Sequence, residues 1–197
     1  TLAFSPYAGA KVTEWIDLAR AAGHEVMLDV PMEPVSYPLD DPGPHTLLTT
    51  LTPSQNLERL AWILSRFTGY VGVTDRMGSR FTTSTQSLRP ILAELAGRGL
   101  LFVDSRSADR SMALEIAAQV GLPRAGNDRF IDEMAARQAI DQRLGDVEAL
   151  ARRDWEALAM GLAYPVTIER IAVWAAGLEA RGFVLSPVSA IVTTERH

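Results

Sequence analysis

Three aspartates stand at the ends of apolar runs, where a carboxylate could bind a cation or activate water. Asp29 and Asp104 each close a hydrophobic stretch, and Asp75 follows the stretch that ends at Thr74. If these runs are parallel strands, their carboxyl ends meet at one edge, and we expect the three side chains to surround one cleft. Alternatively, each carboxylate pairs with an arginine at the rim or caps the next helix.

Carboxylate oxygens suit Mg²⁺ or Ca²⁺, whereas Zn²⁺ prefers histidine or cysteine ligands. We therefore take Asp29 and Asp104 as the candidate catalytic residues and as the candidate ligands of an oxygen-bound divalent metal. A site without metal is equally compatible with these residues. Side chains near the same strand ends are candidates for substrate binding, and they are Ser5, Tyr7, Asp75, Arg76 and Tyr164.

Two further residues in the proline-rich stretch from Pro31 to Thr52 could take part in chemistry. Glu33 lies between two prolines, and we interpret it as a loop carboxylate that accepts backbone N–H bonds. His45 could act as a general acid or base near the cleft, but we interpret it as part of a solvated loop.

The elements that must position these residues follow from the hydrophobic periodicity, which alternates between short apolar runs and helical spacing. Strands are predicted at Leu2–Ser5, Glu25–Val30, Tyr70–Thr74, Leu100–Asp104, Arg124–Asn127, Ala157–Gly161 and Phe183–Ser186. Amphipathic helices are predicted between them, and Gly23, Gly69, Gly99, Gly121 and Gly182 follow the helical stretches as end signals. This alternation predicts an α/β fold, an irregular (β/α) barrel of about seven parallel strands covered by helices.

Composition limits the class of protein. The 197 residues carry a net charge of −5, with 47% hydrophobic and 22% charged residues, which suits one domain over residues 1–197. The absence of a basic run argues against nucleic acid as a partner, and no apolar run is long enough to span a membrane. The sequence begins with Thr1 inside an apparent strand, so we expect that an N-terminal strand is missing; no signal peptide is visible.

Several motifs, in order along the chain, carry a resemblance to a known family. They are residues 2–6 and 23–34, Gly69–Val73, Met77–Ser79, Arg98–Leu100 and Pro187–Ser189. Together they resemble the divergent polysaccharide deacetylases, a branch of the NodB-like carbohydrate esterases. The resemblance implies a (β/α) barrel in the periplasm or cell envelope and metal-dependent removal of N- or O-acetyl groups from a glycan.

The sequence departs from that family where metal-binding histidines are expected. The Asp-Asp pair that the resemblance implies for the family's first strand is not among these residues, as expected if that strand precedes Thr1. Asp29, Glu33 and Arg76 stand where the resemblance implies histidines, and residues 161–165 read Gly-Leu-Ala-Tyr-Pro in place of Gly-His-Pro-His-Pro.

Two hypotheses about function follow. The first is a hydrolase that removes acetyl groups from an envelope polysaccharide. The second is a catalytically degenerate barrel that binds glycan, another small ligand or a protein partner. The metal content of the full-length protein would distinguish them.

Overall fold

The computed structural model describes residues 1–193, and it separates into two compact units. The first unit comprises Thr1–Gly126 together with the C-terminal segment from Pro187, and the second is Asn127–Ser186. The second unit is thus inserted in sequence between two parts of the first. The prediction of one domain over residues 1–197 stays a prediction, and each unit is described by itself.

The first unit is built on a five-stranded parallel sheet whose strands are neighbours in chain order. The strands are β1 (Leu2–Phe4), β2 (Val26–Met32), β3 (Gly72–Met77), β4 (Leu101–Asp104) and β5 (Arg124–Gly126). Helices connect them, as parallel strands require, and these are α1 (Val12–Ala21), α2 (Pro53–Leu64), α3 (Thr85–Gly97) and α4 (Ala113–Val120).

Local sequence signals explain where these helices begin and end. Thr52 and Gln55 form a reciprocal capping box at the start of α2, and Pro53 occupies its first turn. Gly121 ends α4 in the left-handed conformation, with φ of 72°, which glycine adopts without steric cost.

The core of the first unit lies between the sheet and its helices. Alternate residues of β2 point into it, and Leu28, Val30 and Met32 are fully buried there. Leu88, Ile91, Leu92 and Leu95 on one face of α3 fill the same core. We call the side of the sheet that carries Leu28 and Val30 the helix face, and the opposite side the second face.

The last described residues, 187–193, tie the two edge strands of this sheet together, and we call them the C-terminal strap. Val188 N donates to Thr1 Oγ1 at 3.0 Å, and Ser189 N donates to the carboxylate of Glu25 at 3.1 Å. At the other edge, Thr193 and Arg124 exchange backbone hydrogen bonds in an antiparallel bridge. The strap therefore fastens the amino ends of the strands.

The second unit is a small α/β arrangement. It contains the parallel pair β6 (Arg129–Phe130) and β7 (Ala159–Met160), with helices α5 (Arg137–Asp154) and α6 (Pro165–Ala175). Its apolar centre is formed by Ile131, Ile140, Leu144 and Val147.

The structure confirms the α/β class and the parallel strands but not a single seven-stranded barrel. Among residues 1–193 the strands form one sheet of five and a separate pair. The strand predicted at Phe183–Ser186 is wrong: Phe183 N bonds back to Leu178 O at the end of a helical turn, and Val184 and Leu185 are exposed. Strand β6 was not predicted, and helix α4 was indicated only by the end signal at Gly121.

Candidate functional site

The register of β2 and β3 decides which of the predicted site residues can meet. Asp29 lies opposite Thr74, and Val30 lies opposite Asp75. Because successive side chains of a strand point to opposite faces, Asp29, Thr74 and Arg76 occupy the second face, whereas Asp75 occupies the helix face. The three aspartates lie at nearly the same level of the parallel sheet, as expected, but they do not surround one cleft, because Asp29 points away from the other two.

Strand lengths add to this correction. Strand β2 continues to Met32 and β3 to Met77, so Asp29 and Asp75 lie inside strands and not at their ends. Beyond Leu28, β1 no longer covers the edge of β2, and a proline at position 31 is tolerated there because no ladder bond is lost on that side.

Asp75 and Asp104 form a buried pair on the helix face. Thr74 of β3 pairs with Val103 of β4, so the residues that follow them, Asp75 and Asp104, lie side by side. Ser105 donates both its backbone N–H and its hydroxyl to the two carboxylate oxygens of Asp75, each at 2.6 Å. Burial, together with the neighbouring charge of Asp104, raises the pKa of Asp75 to about 7, although the Ser105 bonds oppose the rise.

The oxygens of Asp104 are engaged in the same way. Arg106 N donates to one at 2.8 Å, and the hydroxyl of Ser111 donates to the other at 2.8 Å. Asp104 borders a groove that also contains Arg106, Asp109 and Ser111, but its side chain is only 1% exposed. These contacts fix the loop after β4, which is a structural task.

Asp29 differs from this pair because it accepts no hydrogen bond from residues 1–193. Its nearest cation is Arg76, whose Nη1 lies 4.0 Å from Asp29 Oδ2. The side chain of Asp29 is 19% exposed and that of Arg76 is 53% exposed. Burial raises the pKa of Asp29, and the charge of Arg76 opposes that rise. A carboxylate with free lone pairs and a pKa above its usual value is a better proton acceptor than an ordinary aspartate.

Tyr7 and Ser5 follow β1. The hydroxyl oxygen of Ser5 accepts from Tyr7 N at 3.2 Å, which fixes this turn. The phenol oxygen of Tyr7 accepts from His45 N at 3.1 Å. Burial raises the pKa of Tyr7, and the charges of Arg59 and Arg76 oppose it, so Tyr7 lies within electrostatic reach of Arg76.

His45 lies in a turn of the proline-rich loop, as interpreted from sequence, but it is only partly exposed because its ring packs on Trp62. Its ring stacks on Trp62 at 3.6 Å between centroids and 4° between planes, while the guanidinium of Arg66 lies 4.5 Å from the centroid of the same indole. Burial, together with the charges of Arg59 and Arg66, lowers the pKa of His45. His45 is therefore a packing element of the proline-rich loop, and its surroundings disfavour the charged imidazolium.

The contacts of Glu33 confirm that it is a loop carboxylate that accepts a backbone N–H bond. It accepts from the backbone N–H and hydroxyl of Thr49, at 2.6 and 2.7 Å, and pairs with Arg80 at 3.2 Å. Its two oxygens hold the proline-rich loop against the segment after β3.

Tyr164 lies in the second unit, directly before α6, and its side chain is exposed. The loop that carries it is held by a residue that sequence reasoning missed. Asp132 accepts from Leu162 N at 2.7 Å and from the hydroxyl of Thr167 at 2.9 Å. The same spacing of 30 residues between carboxylate and N–H donor occurs in the Asp75–Ser105 contact.

The residues present do not fit the metal that the family resemblance implies. Within residues 1–193, no three histidine, aspartate or glutamate side chains gather into a cluster that could hold an ion. Both oxygens of Asp104 are already bonded, and Asp29 faces a guanidinium, which opposes a divalent cation.

The chain belongs to the divergent polysaccharide deacetylase family, whose model matches residues 1–192. An uncharacterized protein from Haemophilus influenzae is 28% identical over 88% of this chain and 59% of its own length. The uncharacterized protein YibQ of Escherichia coli is 28% identical over 83% of this chain and 50% of its own length. The chain thus spans little more than half the length of these curated relatives.

One solved structure resembles this fold closely. The crystal structure of the uncharacterized protein ATU2773 from Agrobacterium tumefaciens is 34% identical, with a TM-score of 0.94. The match covers 97% of this chain and 77% of that one. In addition, none of the helices within residues 1–193 combines the length and apolarity that a membrane span requires.

Proposed function

We propose that this chain is the α/β core of a hydrolase that removes acetyl groups from a glycan of the cell envelope, with Asp29 as its general base. The observation that carries the proposal is the state of Asp29: a largely buried carboxylate of raised pKa whose oxygens accept no hydrogen bond from the described residues. Family membership supplies the substrate class, and the periplasm or cell envelope is the proposed location.

In the proposed reaction, Asp29 takes a proton from a water molecule as the water oxygen attacks the acetyl carbonyl carbon. The carbonyl π electrons move to oxygen, and the guanidinium of Arg76 is the group that can balance this negative charge. Collapse of the tetrahedral adduct breaks the bond to the sugar nitrogen or oxygen. The proton held by Asp29 then passes to that leaving group, which leaves acetate and a free amine or hydroxyl.

The other candidate residues divide by whether their polar atoms are engaged. Arg76 and Tyr7 remain proposed substrate contacts near Asp29, and Tyr164 is a separate candidate in the second unit. Ser5 and Asp75 already serve neighbouring backbone groups, so we do not assign them to substrate. Asp104 is reassigned from catalysis to fixing the loop after β4.

A second candidate function, glycan binding without catalysis, rests on the poor fit to a metal. We propose that a metal, if this protein binds one, is a weakly held oxygen-ligated ion such as Mg²⁺ or Ca²⁺ and not histidine-bound zinc. On that basis simple acetylated chito-oligosaccharides should be turned over slowly or not at all.

The test is acetate release by the purified full-length protein from acetylated envelope polysaccharide, with metal content measured on the same samples. The variant Asp29→Asn should lower the rate by about 100-fold or more, the loss expected for a general base. Asp17→Asn, on the exposed side of α1, is the matched control and should leave the rate unchanged.

Each outcome separates the hypotheses. Glycan binding without acetate release in the parent protein would favour the non-catalytic function. Stoichiometric zinc with chelator-sensitive acetate release would overturn the proposal about metal and place the ligands outside residues 1–193.

A further inference from the structure

Thr74 is a buried polar residue whose hydroxyl has no hydrogen-bond partner among residues 1–193. The residue is only 2% exposed and sits in the middle of β3, between β2 and β4. A buried hydroxyl left unpaired costs about 1–3 kcal/mol. Such a group calls for an explanation, because most buried polar atoms in folded proteins are satisfied.

The position of Thr74 limits what its hydroxyl can reach. The oxygen itself is shielded from solvent, so a ligand in the cleft cannot contact it directly. Its direct cross-strand partner on the second face is Asp29. Neighbouring strands lie about 4.8 Å apart, which puts a threonine hydroxyl within reach of a facing carboxylate through rotation about χ1.

Asp29 has the complementary deficiency. Its carboxylate is largely buried, yet its only charged neighbour in the described structure is Arg76, at 4.0 Å and half-exposed. At this distance the two groups form an ion pair, but they are too far apart for a hydrogen bond. The Asp29 carboxylate lacks a donor and the Thr74 hydroxyl lacks an acceptor, and the two residues are direct partners on the neighbouring strands β2 and β3.

We propose that Thr74 is a positioning residue for Asp29, donating its hydroxyl to the carboxylate when Asp29 is charged. The bond occupies the inner oxygen of Asp29 and leaves the outer oxygen, on the side of Arg76, to act on water. This inference rests on the proposed function for its catalytic consequence, but the contact itself can be measured without substrate.

The test compares Thr74→Val, which keeps the shape and removes the hydroxyl, with Thr74→Ser, which restores it. The ¹³C chemical shift of the Asp29 carboxyl carbon is recorded at pH 9 and assigned by its loss in Asp29→Asn. We expect a resolved shift change in Thr74→Val and the parent value in Thr74→Ser. Thr82→Val is the matched control, because Thr82 is a buried threonine whose hydroxyl bonds to Gly78 O.

An Asp29 signal that stays unchanged in a folded Thr74→Val protein would overturn the proposal. If the acetate-release activity is found, Thr74→Val should lower kcat by about tenfold with KM unchanged, the effect of one charge-assisted hydrogen bond. A shifted Asp29 signal in a protein that releases no acetate would preserve the positioning contact and reject the hydrolase.

Discussion

The two faces of the five-stranded sheet treat their carboxylates in opposite ways. On the helix face, Asp75 and Asp104 accept four hydrogen bonds between them, all from the loop that follows β4. On the second face, Asp29 accepts none from residues 1–193 and meets only a guanidinium at 4.0 Å. Both sets are aspartates in adjacent parallel strands, and they differ in how much of their bonding capacity the protein itself uses.

This difference distinguishes the structural role of Asp75 and Asp104 from the functional role proposed for Asp29. A carboxylate whose lone pairs are filled by the chain holds a loop and has little left to offer a ligand. A carboxylate whose lone pairs are free has been desolvated without internal compensation, which costs stability and is typical of sites that act on something else.

The largest expected effect lies in the pH dependence of stability on the helix face. The folded state keeps a proton on Asp75 up to a pKa of about 7, whereas the unfolded chain releases it near the ordinary value of 3.8. The contribution of Asp75 to stability is therefore full below that lower value and is lost as pH rises toward 7. Asn at position 75 imitates the protonated carboxyl at every pH.

The free energy of unfolding of Asp75→Asn, relative to the parent, should thus increase by about 2–3 kcal/mol between pH 5 and 7. Urea unfolding at a series of pH values measures it. A difference that stays constant across this range would show that Asp75 is charged throughout and that the pair on the helix face is an ordinary ionised one.

Removing a donor from the same face should have the next largest effect. In Ser105→Ala the hydroxyl bond to Asp75 is lost while the backbone bond remains, and the free energy of unfolding at pH 7 should fall by about 2 kcal/mol. Ser54→Ala, at an exposed position of α2, should change it by less than about 0.5 kcal/mol. Equal changes in the free energy of unfolding for the two substitutions would show that the helix-face pair has no structural role.

The smallest effect on stability is expected on the second face. Asp29→Asn removes a desolvated charge, and the Asn oxygen can still accept the bond proposed from Thr74, so the free energy of unfolding should stay unchanged or rise by up to about 1 kcal/mol. Chemical denaturation at pH 8 checks it. A loss above about 2 kcal/mol would make Asp29 as structural as Asp75 and erase the contrast between the faces.

Periodicity predicted the strand–helix alternation of the first unit well, since β1 to β5 all fall within or beside predicted runs. It could not predict the faces. Strands that are buried on both sides are apolar throughout, so their sequence does not show which face of the sheet a residue occupies. Whether Asp29 shares a face with Asp75 is known only from the register between β2 and β3. Register depends on contacts between distant segments, which a single sequence does not show.

The second unit was predicted less well because its strands are very short. Each of β6 and β7 has two residues, too few for a period-two pattern, and the longer apolar run at 183–186 finds no partner strand. The ring contact of His45 could not be predicted for a related reason: its stacking on Trp62 joins two segments that are separated in sequence by the start of α2.

The C-terminal strap has a consequence for the order in which the molecule can be assembled. Its bonds to Thr1, Glu25 and Arg124 join residues 187, 164 and 69 positions apart. During synthesis the five strands leave the ribosome long before the strap does, with the whole second unit still to follow. The sheet can therefore form before the strap binds the amino ends of its strands. Because these contacts join residues far apart in sequence, the docking of the strap should be a late step of folding.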